Sequence, residues 1–271
     1  DLIVMPLDTE KAPVSIQWAN HPDLHIKDLP SVGFAGDKLY RPLRFDDEWI
    51  PYEGSVMAID PSGRGADETT YAIVKQLHGY LYVLDVGGFT GGYDDSTLLN
   101  LAKKARSHRV NQIVIEANYG DGMFTKLFQP VLARYWNCII DEVKHYIQKE
   151  KRIIDTLEPV MMRHRLVVDL GTLKRDIQDT IDNDRIYYSL LYQMTRLTKD
   201  RGSLRHDDRL DVLAMAVRYW VDAMARDEEV AVRDYRESLL DEELRVFMDN
   251  VVGGGGYLRD SGDYRSTYLS L

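Results

Sequence analysis

The 271-residue sequence predicts an α/β fold in which helices flank a central mixed sheet. Three strand patterns follow one another over residues 55–86, with a turn at His78-Gly79, and this order is typical of an antiparallel meander. Beyond residue 95, helical patterns alternate with short apolar runs that indicate further strands. A meander followed by alternating helices and strands therefore predicts the fold class.

The first strand of the meander ends in a carboxylate. Residues 56–59 are apolar and predict a buried strand, Asp60 follows directly, and the Pro- and Gly-containing residues 61–65 start a loop. A carboxylate at the end of a buried strand is costly unless it is paired or holds a metal. The alternative interpretation is an Asp that only caps the turn.

A second strand ends in the same way. Asp95 or Ser96 can cap a helix that ends near residue 108, and an apolar strand over residues 112–115 then leads into Glu116. A polar glycine loop at residues 117–122 follows, as one follows Asp60, and it precedes another amphipathic helix. Further helices are predicted near residues 150–164 and 172–182, and residues 187–198 fit either a strand or a helix.

A third acidic feature begins a strongly amphipathic helix. Asp207 and Asp208 stand where negative charge favours a helix start, and Asp211 lies one turn later on a neighbouring face. A capping Asp pair followed by a solvated Asp is the alternative. His206 could orient a carboxylate or simply stand at the helix start.

The acidic groups together predict a site for hard divalent cations. Carboxylates that converge beyond strand ends are ligands that Mg²⁺ and related ions prefer. The sequence has no Cys-His group typical of zinc sites and no G-x-S-x-G motif of serine hydrolases. It also lacks the G-x-x-x-x-G-K-[ST] phosphate loop of ordinary NTPases.

Composition divides the chain into three predicted regions. Residues 1–53 hold six of the nine prolines, which disfavour long helices and central strands, so they are predicted to form an irregular linker that packs on the domain. Residues 54–227 are predicted to form the domain, and residues 228–271 an acidic, partly flexible tail. The tail includes a short amphipathic helix near residues 239–247 and a glycine break at residues 253–256. The net charge of −10 weakens a general nucleic-acid coat function without excluding DNA as a partner.

The cysteine content of the chain indicates its redox compartment. Cys138 is the single cysteine, so no intrachain disulfide can form, and this fits a reducing cytoplasm. The sequence has no apolar run near the roughly 18 residues of a membrane span. It begins at Asp1 rather than Met, which suggests a piece of a longer polypeptide.

Basic residues gather just before the acidic helix start. Four of them are set against one acid and could reach a phosphate backbone, and a fifth stands beside Asp60. An ordinary solvated loop is the equally weighted alternative. The candidate DNA-binding residues are Arg64, Arg196, Lys199, Arg201 and Arg205.

Several separated blocks carry a family resemblance. The blocks IDPSGRGADETTYAIV, IVIEANYGDGMF, DTLEPVMMRHRLVVD and HDDRLDVLAMAVRYW resemble the nuclease domain of the terminase large subunit of short-tailed double-stranded DNA bacteriophages. The order of elements resembles the RNase H/retroviral-integrase-like nuclease fold. The D-x-x-D-x-L-A form at residues 208–214 also resembles Holliday-junction resolvases. The resemblance covers roughly residues 1–225.

The resemblance implies a function and a set of partners. It implies an endonuclease that cuts concatemeric viral double-stranded DNA during genome packaging, in the cytoplasm of the infected bacterial host. The implied partners are DNA, a P-loop ATPase domain of the same polypeptide, the small terminase subunit and the portal or procapsid. Cleavage with little sequence preference is expected because phosphate contacts carry no base information.

The resemblance also implies the site residues and a mechanism. Asp60, Glu116 and Asp208 match the family's metal-binding acids, and Asp211 matches an additional acid of resolvase-like members. Two Mg²⁺ or Mn²⁺ ions would clamp the scissile phosphate. Asp60 is expected to bridge both ions, Glu116 to hold one, and Asp208 with Asp211 to hold the other.

Three other functions stay open on sequence grounds. A resolvase or transposase-like nuclease would share the acids but should carry an added basic DNA-binding domain. An actin-like sugar kinase would need a second phosphate loop in a duplicated half, for which 271 residues are too few. A non-enzymatic packaging-assembly module predicts that Asp60, Glu116 and Asp208 are dispensable.

Overall fold

The computed structural model describes residues 1–29, 34, 36–62, 67–117 and 122–253, with the backbone alone from residue 244. Two compact units divide it, Asp1–Asp222 and a second that begins at Ala223. The strands are β1 (Leu2–Met5), β2 (Lys11–Pro13), β3 (Ile16–Gln17), β4 (Leu39–Tyr40), β5 (Arg44–Phe45), β6 (Trp49–Pro51), β7 (Gly54–Asp60), β8 (Glu68–Leu77), β9 (Tyr80–Thr90), β10 (Gln112–Glu116), β11 (Ile139–Val143) and β12 (Leu166–Asp169). The helices are α1 (Asp95–Ser107), α2 (Met123–Ala133), α3 (Lys149–Met162), α4 (Leu170–Asp182), α5 (Leu190–Arg196) and α6 (Asp208–Gly253).

A mixed sheet of eight strands forms the centre of the first unit, which confirms the predicted fold class. Its strand order is β11-β10-β7-β8-β9-β12-β1-β4. Strands β7, β8 and β9 pair antiparallel as the predicted meander, whereas β10 and β11 add parallel to β7. An antiparallel meander extended by parallel strands on the side of its first strand is the arrangement of ribonuclease H-like folds.

The first strand of the chain corrects one prediction. Residues 1–53 were predicted to be irregular, but β1 lies inside the sheet, where it pairs parallel with both β12 and β4. All four residues of β1 are buried. A parallel strand covered on both faces is a continuous apolar run, and Leu-Ile-Val-Met fits that pattern although the surrounding prolines hide it. The boundaries of the three predicted regions stay predictions.

The two faces of the meander are covered by different helices. On one face, the β7 side chains Met57 and Ile59 join a buried core with Leu101 of α1 and Phe128 of α2. Helix α6 crosses the opposite face, and every residue from 209 to 217 is buried. This all-round burial places the acidic residue Asp211 of α6 inside the protein.

Helix α6 also differs from prediction beyond residue 227. The sequence predicted a separate short helix near residues 239–247, whereas α6 continues without a break to Gly253. Residues 223–243 contain no Gly or Pro and many good helix formers, so nothing in the chain ends the helix earlier. Residues 254–256 of the predicted glycine break lie outside the described residues. Within the described part of the chain, no helix is both long and apolar enough to cross a membrane.

Candidate metal centre

Three carboxylates meet at the end of the sheet covered by α6. Each of Asp60, Glu116 and Asp211 offers one oxygen atom, and these three oxygens lie within 4.8 Å of one another. Asp60 and Glu116 end the neighbouring parallel strands β7 and β10, whose Ile59 and Ile115 are paired in register. Asp211 stands in the first turn of α6. The topology therefore brings together acids that are 151 positions apart at most, from Asp60 to Asp211.

The environment shifts the pKa values of the three acids in different directions. Burial, followed by the Glu116 charge, raises the pKa of Asp60 well above its ordinary value. Burial likewise raises the pKa of Asp211 to about 6, although Lys149 lowers it. Burial would raise the pKa of Glu116 too, but a hydrogen bond from His145 and the charges of nearby basic groups outweigh it and lower the pKa.

Lys149, the first residue of α3, contacts three acids of the α6 start. Its Nζ lies 2.7 Å from Asp207 Oδ1, 3.2 Å from Asp211 Oδ2 and 3.3 Å from Asp208 Oδ1. Burial alone would lower the pKa of Lys149, but the three carboxylates, led by Asp211, outweigh it and raise the pKa. Lys149 is therefore a counter-cation of the site in its charged form.

Two further residues orient the carboxylates. Arg152 Nη2 donates to both oxygens of Asp211, at 2.7 and 2.9 Å, and Arg152 Nη1 lies 3.6 Å from Glu116. His145 Nδ1 lies 3.3 Å from Glu116 Oε1. The sequence interpretation missed Lys149, Arg152 and His145. One signal was available, because a Lys and an Arg three residues apart share one side of a helix and buried acids need basic partners.

The other acids predicted at the α6 start lie beside the three carboxylates. Asp208 is outside the group of three oxygens that meet within 4.8 Å, and its side chain is linked to that group through Lys149. Its main-chain carbonyl accepts a hydrogen bond from Thr70 of β8 at 3.2 Å. His206 packs its ring against those of Tyr187 and Tyr188, at 5.2 and 4.3 Å between centroids.

Three of the five predicted basic residues lie in a loop that contacts the start of α3. Lys199, Arg201 and Arg205 are exposed in the loop before α6, whereas the Arg196 guanidinium lies over the Tyr192 ring at 4.0 Å. This basic loop, residues 197–207, is tied to the start of α3. Gln148 Nε2 donates to the Lys199 carbonyl at 3.3 Å, and the Gly202 amide donates to the Glu150 carboxylate. Arg64 lies outside the described residues.

The residues present fit a hard divalent cation. All three converging ligand atoms are carboxylate oxygens, which such ions prefer. Like charges this close oppose joint ionisation, and a divalent cation between them would offset that repulsion. The nearby Lys149 and Arg152 offset part of the negative charge through their contacts with Asp211.

Comparisons with known proteins identify sequence relatives of the chain. Residues 59–166 match the family model described as Terminase Bacteriophage T7, Ribonuclease H-like domain. The chain is 40% identical over 247 residues to the terminase large subunit of Enterobacteria phage T3, an alignment that covers 90% of this chain and 42% of that protein. The chain thus spans less than half the length of that relative.

Solved structures that partly superpose on this chain include two viral nuclease domains. The human cytomegalovirus terminase nuclease domain, soaked with Mn and bound to an inhibitor, has a TM-score of 0.45 at 14% identity and covers 61% of this chain and 82% of that chain. The nuclease domain of the large terminase subunit of bacterial virus Sf6 has a TM-score of 0.44 at 12% identity, with 62% and 90% covered. Residues 59–166 therefore carry a ribonuclease H-like domain of the phage terminase type, and the chain as a whole is similar to part of a terminase large subunit.

Proposed function

We propose that the chain is a divalent-metal-dependent DNA endonuclease that cuts concatemeric viral double-stranded DNA during genome packaging. The observation that carries this proposal is the convergence of the Asp60, Glu116 and Asp211 oxygens within 4.8 Å on a ribonuclease H-like sheet. Similarity to a phage terminase large subunit and to the terminase ribonuclease H-like domain supports viral DNA as the substrate. The protein is proposed to act in the cytoplasm of the infected bacterial host.

We assign the ligands of two Mg²⁺ or Mn²⁺ ions within this proposal. Asp60, Glu116 and Asp211 would hold one ion, because their oxygens already converge. Asp60 and Asp208 are the proposed ligands of the second ion. The Lys149 ammonium lies 3.3 Å from Asp208, and the charge of Asp60 also acts on it. Bound ions of this kind lower the pKa of an attacking water and stabilise the leaving 3′ oxygen.

The basic neighbours hold the carboxylates in place for this chemistry. The two hydrogen bonds from Arg152 to Asp211 fix the plane of that carboxylate. His145, which follows the end of β11, restrains Glu116 through its contact with Oε1. Lys149 keeps the acids of the α6 start close together through its three short contacts. The protein thus supplies an arrangement that needs little rearrangement on binding.

DNA contact is assigned to the basic loop. Lys199, Arg201 and Arg205 are exposed, and the ties to Gln148 and Glu150 hold their loop against the start of α3, next to Lys149. Contacts to phosphates alone give cleavage with low sequence specificity. The ATPase domain of the same polypeptide, the small terminase subunit and the portal or procapsid are proposed as further partners.

Cleavage of supercoiled plasmid tests the proposal. We expect nicking with Mg²⁺ or Mn²⁺, none in EDTA, and a loss of more than about 100-fold in Asp60→Asn because a metal ligand is removed. The matched control is Asp222→Asn, which alters an exposed acid of α6 that pairs with Arg218. Equal nicking by the parent and Asp60→Asn, or nicking in EDTA, would overturn the proposed mechanism. No nicking by a folded parent with either ion would overturn the function for this chain.

A further inference from the structure

A cavity lined by several polar and charged residues lies at the opposite end of the meander from the three carboxylates. Its volume is about 280 Å³, and it opens between the antiparallel pair of β2 and β6, the start of β7 and the end of β8. Ser55 stands five residues before Asp60 on β7, so the two ends are separated by roughly 17 Å along the strand. The cavity therefore belongs to neither the metal centre nor the basic loop.

Two buried polar side chains share this cavity. Ser55 and Lys75 are paired across β7 and β8, so both project from the same face of the sheet. Each is only 4% exposed. Within the described part of the chain, Ser55 Oγ has no hydrogen-bond partner. Buried hydroxyl groups are normally satisfied, so an orphan hydroxyl beside a cavity points to a missing ligand.

Lys75 also has hydrogen-bond donors that no described residue accepts. Its Nζ donates to the Thr9 carbonyl at 2.5 Å and lies 5.2 Å from the centre of the Tyr52 ring, whereas an ammonium carries three donors. Burial lowers the pKa of Lys75 to about 8, although Glu10 and Asp8 raise it and Arg109 lowers it. A buried cation without a full counter-charge is stabilised by an incoming anion.

The rim of the cavity adds further hydrogen-bond donors. Arg109 lines the cavity with 65% of its side chain exposed, and its Nη2 lies 3.0 Å from Oε1 of Glu10, an acid that also lines the cavity. Asn111, another lining residue, follows in the loop before β10. Ammonium, hydroxyl and guanidinium donors thus approach one space from three different elements. A tetrahedral oxyanion, with acceptors in several directions, matches such an arrangement better than a flat ligand.

We propose that this cavity binds a phosphate-class oxyanion, held by the Lys75 ammonium, the Ser55 hydroxyl and the Arg109 guanidinium. The anion adds a counter-charge for Lys75 to those of Glu10 and Asp8, and it gives the Ser55 hydroxyl a hydrogen-bond partner that no described residue supplies. The phosphate is either free inorganic phosphate or the phosphate of a nucleotide. This site is independent of the proposed nuclease function, so each can fail alone.

The test titrates inorganic phosphate and, separately, adenosine monophosphate into the chain in chloride buffer, by calorimetry and by NMR of labelled lysine side chains. We expect saturable binding of at least one ligand and an increase in the pKa of Lys75 when it is bound, since a neighbouring anion favours the ammonium form. The NMR measurement uses the unaltered chain, so it does not depend on a variant that folds. Stronger binding of inorganic phosphate assigns the free ion, and stronger binding of the nucleotide assigns the nucleotide.

Variants locate the binding. Lys75→Met should weaken it by at least about tenfold and Ser55→Ala by a smaller factor, because hydrogen bonds to charged groups are the stronger ones. Lys174→Met, which alters an exposed lysine of α4, is the control and should bind as the parent does. No saturable binding of either ligand, an unchanged pKa of Lys75, or equal binding by Lys75→Met and the parent would overturn the proposal.

Discussion

At the scale of the residue, Lys149 is the main counter-charge of the acidic site. Its ammonium lies within 3.3 Å of an oxygen of each of Asp207, Asp208 and Asp211. A lysine in this position partly replaces the positive charge that divalent ions would bring. Removal of one partner from a buried ion pair is costly because the remaining charges stay uncompensated.

The variant Lys149→Met should therefore be destabilised chiefly when divalent ions are absent. We expect its free energy of unfolding in EDTA to fall by about 2 kcal/mol or more. Mn²⁺ should restore more stability to this variant than to the parent, since ligand binding to the folded state adds stability. Urea unfolding in EDTA and in Mn²⁺ measures both effects. Lys151→Met, at an exposed position of α3, is the control, and an equal loss of stability with and without Mn²⁺ would contradict the expectation.

Another buried acid, Asp85 of β9, is paired outside the site. It is 2% exposed, and its carboxylate oxygens lie 2.6 Å from Lys104 Nζ, 3.2 Å from Arg175 Nη2 and 3.3 Å from His108 Nε2. The Tyr71 hydroxyl donates to it at 3.3 Å. Burial would raise the pKa of Asp85, but hydrogen bonds from His108 and Lys104 outweigh it and lower the pKa to about 2.

This lowered pKa predicts a pH-dependent contribution of Asp85 to stability. The contribution is complete above the ordinary Asp value of 3.8 and is lost as the pH falls from there to about 2, because the unfolded chain takes up the proton first. Asp85→Asn should be less stable than the parent by about 2 kcal/mol near pH 6. Urea unfolding of both proteins between pH 6 and pH 2.5 should show the difference shrinking. A difference that is constant over this range would contradict the prediction.

At the scale of the element, the start of α3 links the acids to the basic loop. Lys149 faces the acids of α6, while Gln148 and Glu150, on either side of it, bond the loop at Lys199 and Gly202. One turn of helix therefore sets the distance between the candidate metal centre and the candidate phosphate contacts. The loop is exposed and carries its basic side chains into solvent.

Replacement of the three exposed basic residues of the loop should change the salt dependence of DNA binding. In a triple Lys199→Gln, Arg201→Gln and Arg205→Gln variant, the slope of log affinity against log salt should decrease by about 0.9 for each DNA phosphate that is no longer neutralised. Fluorescence anisotropy with a short duplex at several salt concentrations measures the slope. A triple variant at Lys38, Lys103 and Lys174, all exposed, is the control. An unchanged slope in the loop variant would assign DNA binding elsewhere.

Local patterns predicted some elements correctly, and others depended on distant contacts. The meander and the acids at the ends of β7 and β10 follow from apolar runs stopped by Gly and Pro, which are local signals. Spacing alone could not choose between Asp208 and Asp211 as the acid that meets the other two, because both share one side of α6. The Arg152–Asp211 contact joins residues 59 positions apart, and no local pattern contains it.

At the scale of the whole molecule, the sheet order gives the acids their common position. Parallel pairing of β10 with β7 sets two carboxylates side by side, and α6 brings the third from much later in the chain. The same order leaves β1 between β12 and β4, where a four-residue apolar run among prolines gave no signal of a central strand. The fold class was thus predictable, whereas the full width of the sheet was not.

Binding of Mn²⁺ is the most direct test of the claim that these acids form a metal site. Calorimetric titration of the parent and of Asp222→Asn should show saturable binding. Asp60→Asn and Asp211→Asn should each weaken it by more than about tenfold, since each removes one of three converging ligands. If the folded Asp60→Asn and Asp211→Asn variants bind Mn²⁺ as the parent does, the three carboxylates are not the metal site.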